Sequence, residues 1–164
     1  MRDCLLDLAR LGDSTAEPEV LGLIASAPGL RPADVLTSAL SGNQLSALDV
    51  GVAATDAQRA GEDCTETMRS SKVRRYAPYH AELQAAQVMY RPVVWSCFGR
   101  EHSDTTSVMV GLARRAARRR GFAGYRPLLA RARAAIGVAL ARRLALMALS
   151  CQARLSFGSR ALLN

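Results

Sequence analysis

Three prolines and three glycines fall between Glu17 and Asn43, and this punctuation limits the fold more than any other feature of the chain. Proline fixes φ and removes a backbone donor, and interior glycine weakens a helix, so no long helix can cross this segment. It is left to short strands and turns. Arg31-Pro32-Ala33-Asp34-Val35-Leu36-Thr37 reads as a strand, ended by Ser41-Gly42-Asn43. Leu45-Ser46-Ala47-Leu48-Asp49-Val50-Gly51-Val52 reads as the next, and the pair forms a β-hairpin. Upstream, Leu5, Leu8 and Leu11 recur at intervals of three, which gives residues 1–12 a short helix broken by Asp13-Ser14-Thr15.

Downstream of the hairpin the pattern changes twice. Thr55 to Gln87 is polar and helical, with Cys64, Met68, Val73 and Leu83 as inward positions and Pro78 as the point of division. Val88-Met89-Tyr90-Arg91-Pro92-Val93-Val94-Trp95-Ser96 is β-branched and aromatic, the strongest strand signal present. Beyond Gly99 the chain turns helical. Ser103 or Asp104 caps a helix that runs to Arg120 and stops at Gly121. Gly124-Tyr125-Arg126-Pro127 links it to a last helix over 128–155. In that helix Ala132, Ile136, Leu140, Leu144, Met147 and Cys151 form a stripe facing a core. With 164 residues there is room for one domain. The expected fold is an α/β domain: a mixed sheet with flanking helices over residues 17–100, and a basic helical extension over 101–164.

Charge divides the same way. Residues 1–100 hold ten basic groups against twelve acidic ones, whereas residues 101–164 hold twelve arginines against Glu101 and Asp104 alone. Arg114, Arg115, Arg118, Arg119 and Arg120 crowd one helix face, where like charges three and four apart repel by a few tenths of a kcal/mol, roughly 0.2–0.5 per pair. Arg131, Arg133, Arg142 and Arg143 extend the pattern. A phosphate backbone would relieve that repulsion, so DNA contacted without sequence readout is the expected partner. No aromatic ladder interleaves these arginines, which argues against stacking on single-stranded bases. A solvated basic face is the plainer alternative.

Several classes are excluded. The most apolar stretch, Ala134 to Cys151, has Arg142 and Arg143 at its middle, which disfavours a membrane span. Met1-Arg2-Asp3-Cys4-Leu5-Leu6-Asp7 lacks the apolar core of a secretory signal. The cysteines at 4, 64, 97 and 151 are too scattered for a zinc site or a disulfide scaffold, so an intracellular protein is expected. Trp95 and Phe98 read as core, and His80 and His102 as turn or surface residues, His102 with Glu101 beside it as a conceivable base.

Two acids stand inside apolar strand segments. A carboxylate there needs a partner. Asp34 and Asp49 converge if their strands form the hairpin, and two converging carboxylates suit Mg²⁺, whose remaining positions are filled by water and substrate phosphate. From position alone, each acid could equally be satisfied by a turn amide or by Arg31. Of 22 basic residues 21 are arginine; the single lysine, Lys72, lies on the helix after the second acidic strand, four residues before Tyr76 and on the same face. Lysine is a compact point charge suited to activating a water or steadying a phosphorane oxygen.

The succession Pro32-x-Asp34, Asp49-Val50 and Lys72-x-x-x-Tyr76 resembles the PD-(D/E)xK restriction-endonuclease-like nucleases. More narrowly, Arg31, Pro32, Asp34, Asp49, Lys72, Tyr76 and Pro92-Val93-Val94 are similar to the region downstream of reverse transcriptase in non-LTR retrotransposons, over roughly residues 17–120. The resemblance implies a restriction-endonuclease-like fold, a nuclear setting and Mg²⁺-dependent hydrolysis of DNA phosphodiesters. Asp34 and Asp49 would hold metal, with an upstream acid at Glu17 or, preferably, Glu19. Lys72 would serve the attacking water, and Tyr76 would position Lys72 or contact phosphate. The family's usual lysine stands two residues after the second acid, where this chain has Gly51, so the amine would arrive from the helix instead. The alternative is a non-catalytic basic module for nucleic-acid binding or assembly.

Overall fold

The computed structural model describes residues 1–41, 44–54 and 63–160, with side chains through residue 150. The elements follow in the order α1 (Arg2–Gly12), β1 (Glu17–Val20), β2 (Ala33–Ser41), β3 (Gln44–Ala53), α2 (Cys64–Tyr76), α3 (His80–Ala85), β4 (Val88–Ser96), α4 (Ser103–Arg120) and α5 (Arg126–Arg160). Four strands make one mixed sheet in the order β1-β2-β3-β4. The first three are antiparallel and β4 runs parallel to β3, so α2 and α3 form the crossover that a parallel pair requires. The expected hairpin is therefore present; its Gly42 and Asn43 lie outside the described residues, as does the 55–62 part of the polar segment.

Alternation sorts the side chains onto two faces. Along β2, Ala33, Val35, Thr37 and Ala39 are buried and the residues between them are half-buried. On one face Val35, Leu48, Val93 and Trp95 pack against Leu5 and Leu8 of α1, Met109 and Leu112 of α4, and Ile136 and Leu140 of α5. Each of these large side chains contributes about 1.5–3 kcal/mol by leaving water. The helices assigned to an extension thus share the main core with the sheet. On the other face Tyr76 and Leu83 cover Ala47, Val88 and Tyr90. Pro78 divides the crossover as expected, lying in a single 3₁₀ turn, Ala77–Tyr79.

Several local readings need correction. β1 is a short exposed edge strand, with Pro18 blunting it. Val73 is 39 % exposed and Phe98 80 %, so neither belongs to a core. The α5 stripe is buried only through Leu140; Leu144 and Met147 are exposed, because no element packs beyond that point among the described residues, and the Cys151 side chain lies outside them. The cap of α4 is His102, not Ser103 or Asp104: its Nδ1 accepts from the Asp104 amide at 3.1 Å while Nε2 donates to Glu66 at 2.8 Å. His102 is buried and joins α4 to α2, which takes it out of the turn or surface class. Gly121, at φ 70°, ends α4 in the left-handed conformation, as its position demands.

Candidate active site

The pairing of Val35 with Leu48 and Leu36 with Ala47 sets Asp34 directly opposite Asp49. Paired residues share a sheet face, and both acids take the face covered by α2. Asp49 lies level with Pro92 of β4. On the other side, the pairing of Pro18 with Val35 and Val20 with Ala33 sets Glu19 opposite Asp34. Three acids therefore stand in one row across β1, β2 and β3.

Lys72 comes to this row from above. One helical turn earlier Met68 packs beside it, and both side chains lie over Gly51, where a Cβ would stand 2.6 Å from Lys72 Cε and 2.8 Å from Met68 Sδ. Gly51 is thus the opening through which the helix lysine reaches the row of acids. Its Nζ donates to Asp49 Oδ1 at 2.5 Å and to the Val50 carbonyl at 3.1 Å. The second Asp49 oxygen accepts from the Tyr90 hydroxyl at 2.6 Å. The side chains of Lys72 and Asp49 are 19 % and 12 % exposed, a largely buried ion pair.

Asp34 is held differently. Its Oδ2 accepts from the Val50 amide at 2.7 Å, and its other oxygen has no donor among the described residues. Burial raises the Asp34 carboxyl above the usual range, and the Asp49 charge pushes the same way. The Val50 amide, Lys72 and Arg2 pull against them without cancelling the rise. Two carboxylates facing one ammonium leave a negative charge uncompensated when both are ionised. The oxygens of Asp34 and Asp49, with those of water and substrate phosphate, are the hard donor set Mg²⁺ uses, so the residues fit that ion.

The other expected residues fall around this centre. Glu19 adopts a left-handed backbone (φ 49°), a strained state worth about 1–3 kcal/mol for a residue with a side chain. It pairs with Arg2 and lies 3.8 Å from Arg31. Among the described residues no three His, Cys, Asp or Glu side chains cluster as metal ligands, so the donors brought together are Asp34 and Asp49. Tyr76 directs its hydroxyl to the Arg31 carbonyl at 2.9 Å rather than to Lys72, and packs against Tyr90 at a tilt of 44° with 4.6 Å between centroids. Burial, then Asp49, raises its phenol. Burial and the bond to Asp49 raise that of Tyr90 far more, so Tyr90 is a fixed donor.

Sequence reasoning missed Tyr90, Arg2 and the Val50 peptide. Tyr90 carried a usable signal, since it lies two residues before Pro92, on the same face of β4. The arginines of α4 lie elsewhere. Arg114, Arg115 and Arg118 line a depression of about 290 Å³ beside Ser38 and Leu40. Arg119 bonds the Gly12 carbonyl and Ser14, and Arg120 is exposed. Arg133 is engaged by Glu101 at 2.7 and 2.9 Å. Among the described residues no helix is long and apolar enough to cross a membrane. No family model, curated protein or solved structure matches this chain.

Proposed function

We propose that this chain is a restriction-endonuclease-like domain derived from a retrotransposon, hydrolysing DNA phosphodiesters with Mg²⁺. One observation carries the reading: Asp34 and Asp49 face each other on paired strands while Lys72, from the crossover helix, fills the space over Gly51 and meets Asp49 at 2.5 Å. Asp34 and Asp49 would hold the ion. Bound there, it would lower the pKa of a coordinated water and offset charge at the scissile phosphate.

The chain's own residues supply the rest. Tyr90 holds one oxygen of Asp49 while Lys72 bonds the other at rest. The Val50 amide holds one oxygen of Asp34 and leaves the other without a donor among the described residues. Lys72, moving off Asp49 by rotation of its flexible stem, is the amine that orients the attacking water and steadies charge on the phosphate oxygens. Tyr76 braces Tyr90 by tilted ring packing and anchors Arg31 through its carbonyl. The arginine face of α4 adds affinity for the DNA backbone without sequence readout.

A non-catalytic binding module is the second reading, favoured by the closure of Lys72 onto Asp49 as a self-contained ion pair. Nicking of supercoiled plasmid separates the two. The nuclease reading expects Mg²⁺-dependent nicking that Asp49→Ala abolishes with DNA binding retained, and that Lys72→Arg impairs, because a planar guanidinium does not replace a compact amine. A wild type that binds plasmid and never nicks it leaves the binding module.

A further inference from the structure

Gly111 opens a gap in the arginine face of α4. Glycine inside a helix weakens it, but here the bare backbone admits Leu40 of β2: a Cβ would stand 2.7 Å from Leu40 Cδ2. Arg114, Arg115 and Arg118 follow three, four and seven residues later, on the same helix face. Long helical side chains lean over the turn N-terminal to their own Cα, so Arg114 and Arg115 reach back toward the gap and Arg118 stands behind them. These three arginines and Leu40 line the depression of about 290 Å³.

The arginines are positioned by their neighbours and left unneutralised. The Arg115 stem crosses Gly12 of α1, where a Cβ would stand 2.9 Å from its Cγ. The Arg114 guanidinium lies 5.0 Å from the centre of the Tyr125 ring. Arg115 and Arg118 have no hydrogen bond or ion pair among the described residues, and no carboxylate there pairs with any of the three. Asp13, bonded to this end of β2, is buried and directs its oxygens to Thr15, Thr37 and Ser38. Arg119 is different, being engaged by the Gly12 carbonyl and Ser14.

A guanidinium presents paired N–H donors in a fixed fork that matches phosphate oxygens. Three such forks around one depression suit the three free oxygens and near-double charge of a phosphate monoester. A backbone diester offers two free oxygens and one charge.

We propose that the α4 depression binds a phosphomonoester dianion through Arg114, Arg115 and Arg118. The phosphorylated end of a nucleic-acid strand and a small soluble phosphate ester carry this same chemistry. The site goes beyond general contact with the DNA backbone, and it shares no residue with Asp34, Asp49 and Lys72, so it does not depend on the nuclease reading.

The test uses the whole chain in EDTA, so that nicking does not enter. In one arm a short fluorescent duplex ends in a 5′-phosphate or a 5′-hydroxyl. In the other, adenosine 5′-monophosphate is compared with adenosine by thermal shift. Wild type should bind a phosphorylated probe about tenfold more tightly than its unphosphorylated counterpart, roughly the worth of one charge-assisted hydrogen bond. Preference in the duplex arm alone assigns the strand end, preference in the nucleotide arm alone assigns a small ester, and preference in both assigns the monoester group itself.

Arg114→Gln/Arg115→Gln/Arg118→Gln should abolish the preference. These side chains are exposed, so the variant should keep the wild-type melting profile. Arg118→Gln alone should weaken the preference, and Arg120→Gln, outside the depression, should retain it. Two results overturn the proposal: no preference by wild type in either arm, or a preference that survives in the triple variant. A phosphate preference without nicking in Mg²⁺ would keep this inference and remove the nuclease reading.

Discussion

Gly51→Ala separates the position of Lys72 from the stability of the fold. The added methyl would stand 2.6 Å from Lys72 Cε and 2.8 Å from Met68 Sδ, where carbon contacts relax to about 3.5–4.0 Å. Both neighbours are the far ends of flexible side chains, so they yield before the sheet does. Lys72 Cε must retreat by about 1 Å, the difference between that contact and the ordinary one, and it carries Nζ out of its 2.5 Å bond with Asp49.

An off-rotamer lysine costs about 0.5–1.5 kcal/mol, and replacing an interior strand glycine by alanine returns roughly 0.5–1 kcal/mol. The melting temperature should therefore move by no more than about 4 °C, at roughly 2–4 °C per kcal/mol for a domain of this size. Catalysis has no such compensation: a group misplaced by about 1 Å can lower the rate on the order of 10²-fold. Plasmid nicking and thermal melting on the same preparation read both quantities. A variant that nicks at the wild-type rate would refute the role given to Lys72. A fall of more than about 10 °C, far beyond the 2–4 °C per kcal/mol scale, would show that Gly51 serves the packing of α2 instead.

In a Lys72→Ala background, Gly51→Lys should restore part of the nicking lost, since the vacated space over Gly51 then receives an amine from the strand; no recovery would count against the shared volume. Burial alone would raise the Asp13 carboxyl, but bonds from the Thr15 and Thr37 hydroxyls and the Ser38 and Thr15 amides outweigh it and hold it well below its usual range. Its contribution is complete above the unfolded value near 3.9 and is lost as pH falls toward the lower folded one. Asp13→Ala should therefore lower stability by about 2–4 kcal/mol at pH 7 in urea unfolding, and by much less near pH 2. Thr105 is fully buried, accepts from the Val94 amide at 2.7 Å and donates to the Val94 carbonyl at 2.9 Å, which also accepts from the His102 amide at 3.0 Å, so Thr105→Val should cost about 1–3 kcal/mol by leaving the Val94 amide unpaired.

How much of this was legible in the residues depends on whether local rules or distant packing decide each position. The convergence of Asp34 and Asp49 was readable because an antiparallel hairpin fixes which residues stand opposite, and a helix directly after it brings Lys72 back over the same strands. β1 was not, since four exposed residues with a proline carry no apolar alternation. The cap of α4 escaped because histidine is an uncommon cap, chosen here by the carboxylate of Glu66 on another helix. Likewise, periodicity kept the α5 stripe apolar past Leu140, but burial needs a partner surface that periodicity does not report. The row containing Glu19 was visible only once the β1–β2 register was known, and its ion pair with Arg2 only from the packing of α1.

The central claim is that Asp34 and Asp49 hold one divalent cation beside Lys72. Mn²⁺ titration followed by electron paramagnetic resonance, with Mg²⁺ as competitor and a non-cleavable phosphorothioate duplex present, tests it most directly. The account predicts one Mn²⁺ displaced by Mg²⁺ in the wild type, and loss of that site in Asp34→Asn/Asp49→Asn with the duplex still bound. Mn²⁺ bound equally well by the double variant, or no Mn²⁺ bound by the wild type on the duplex, would contradict it.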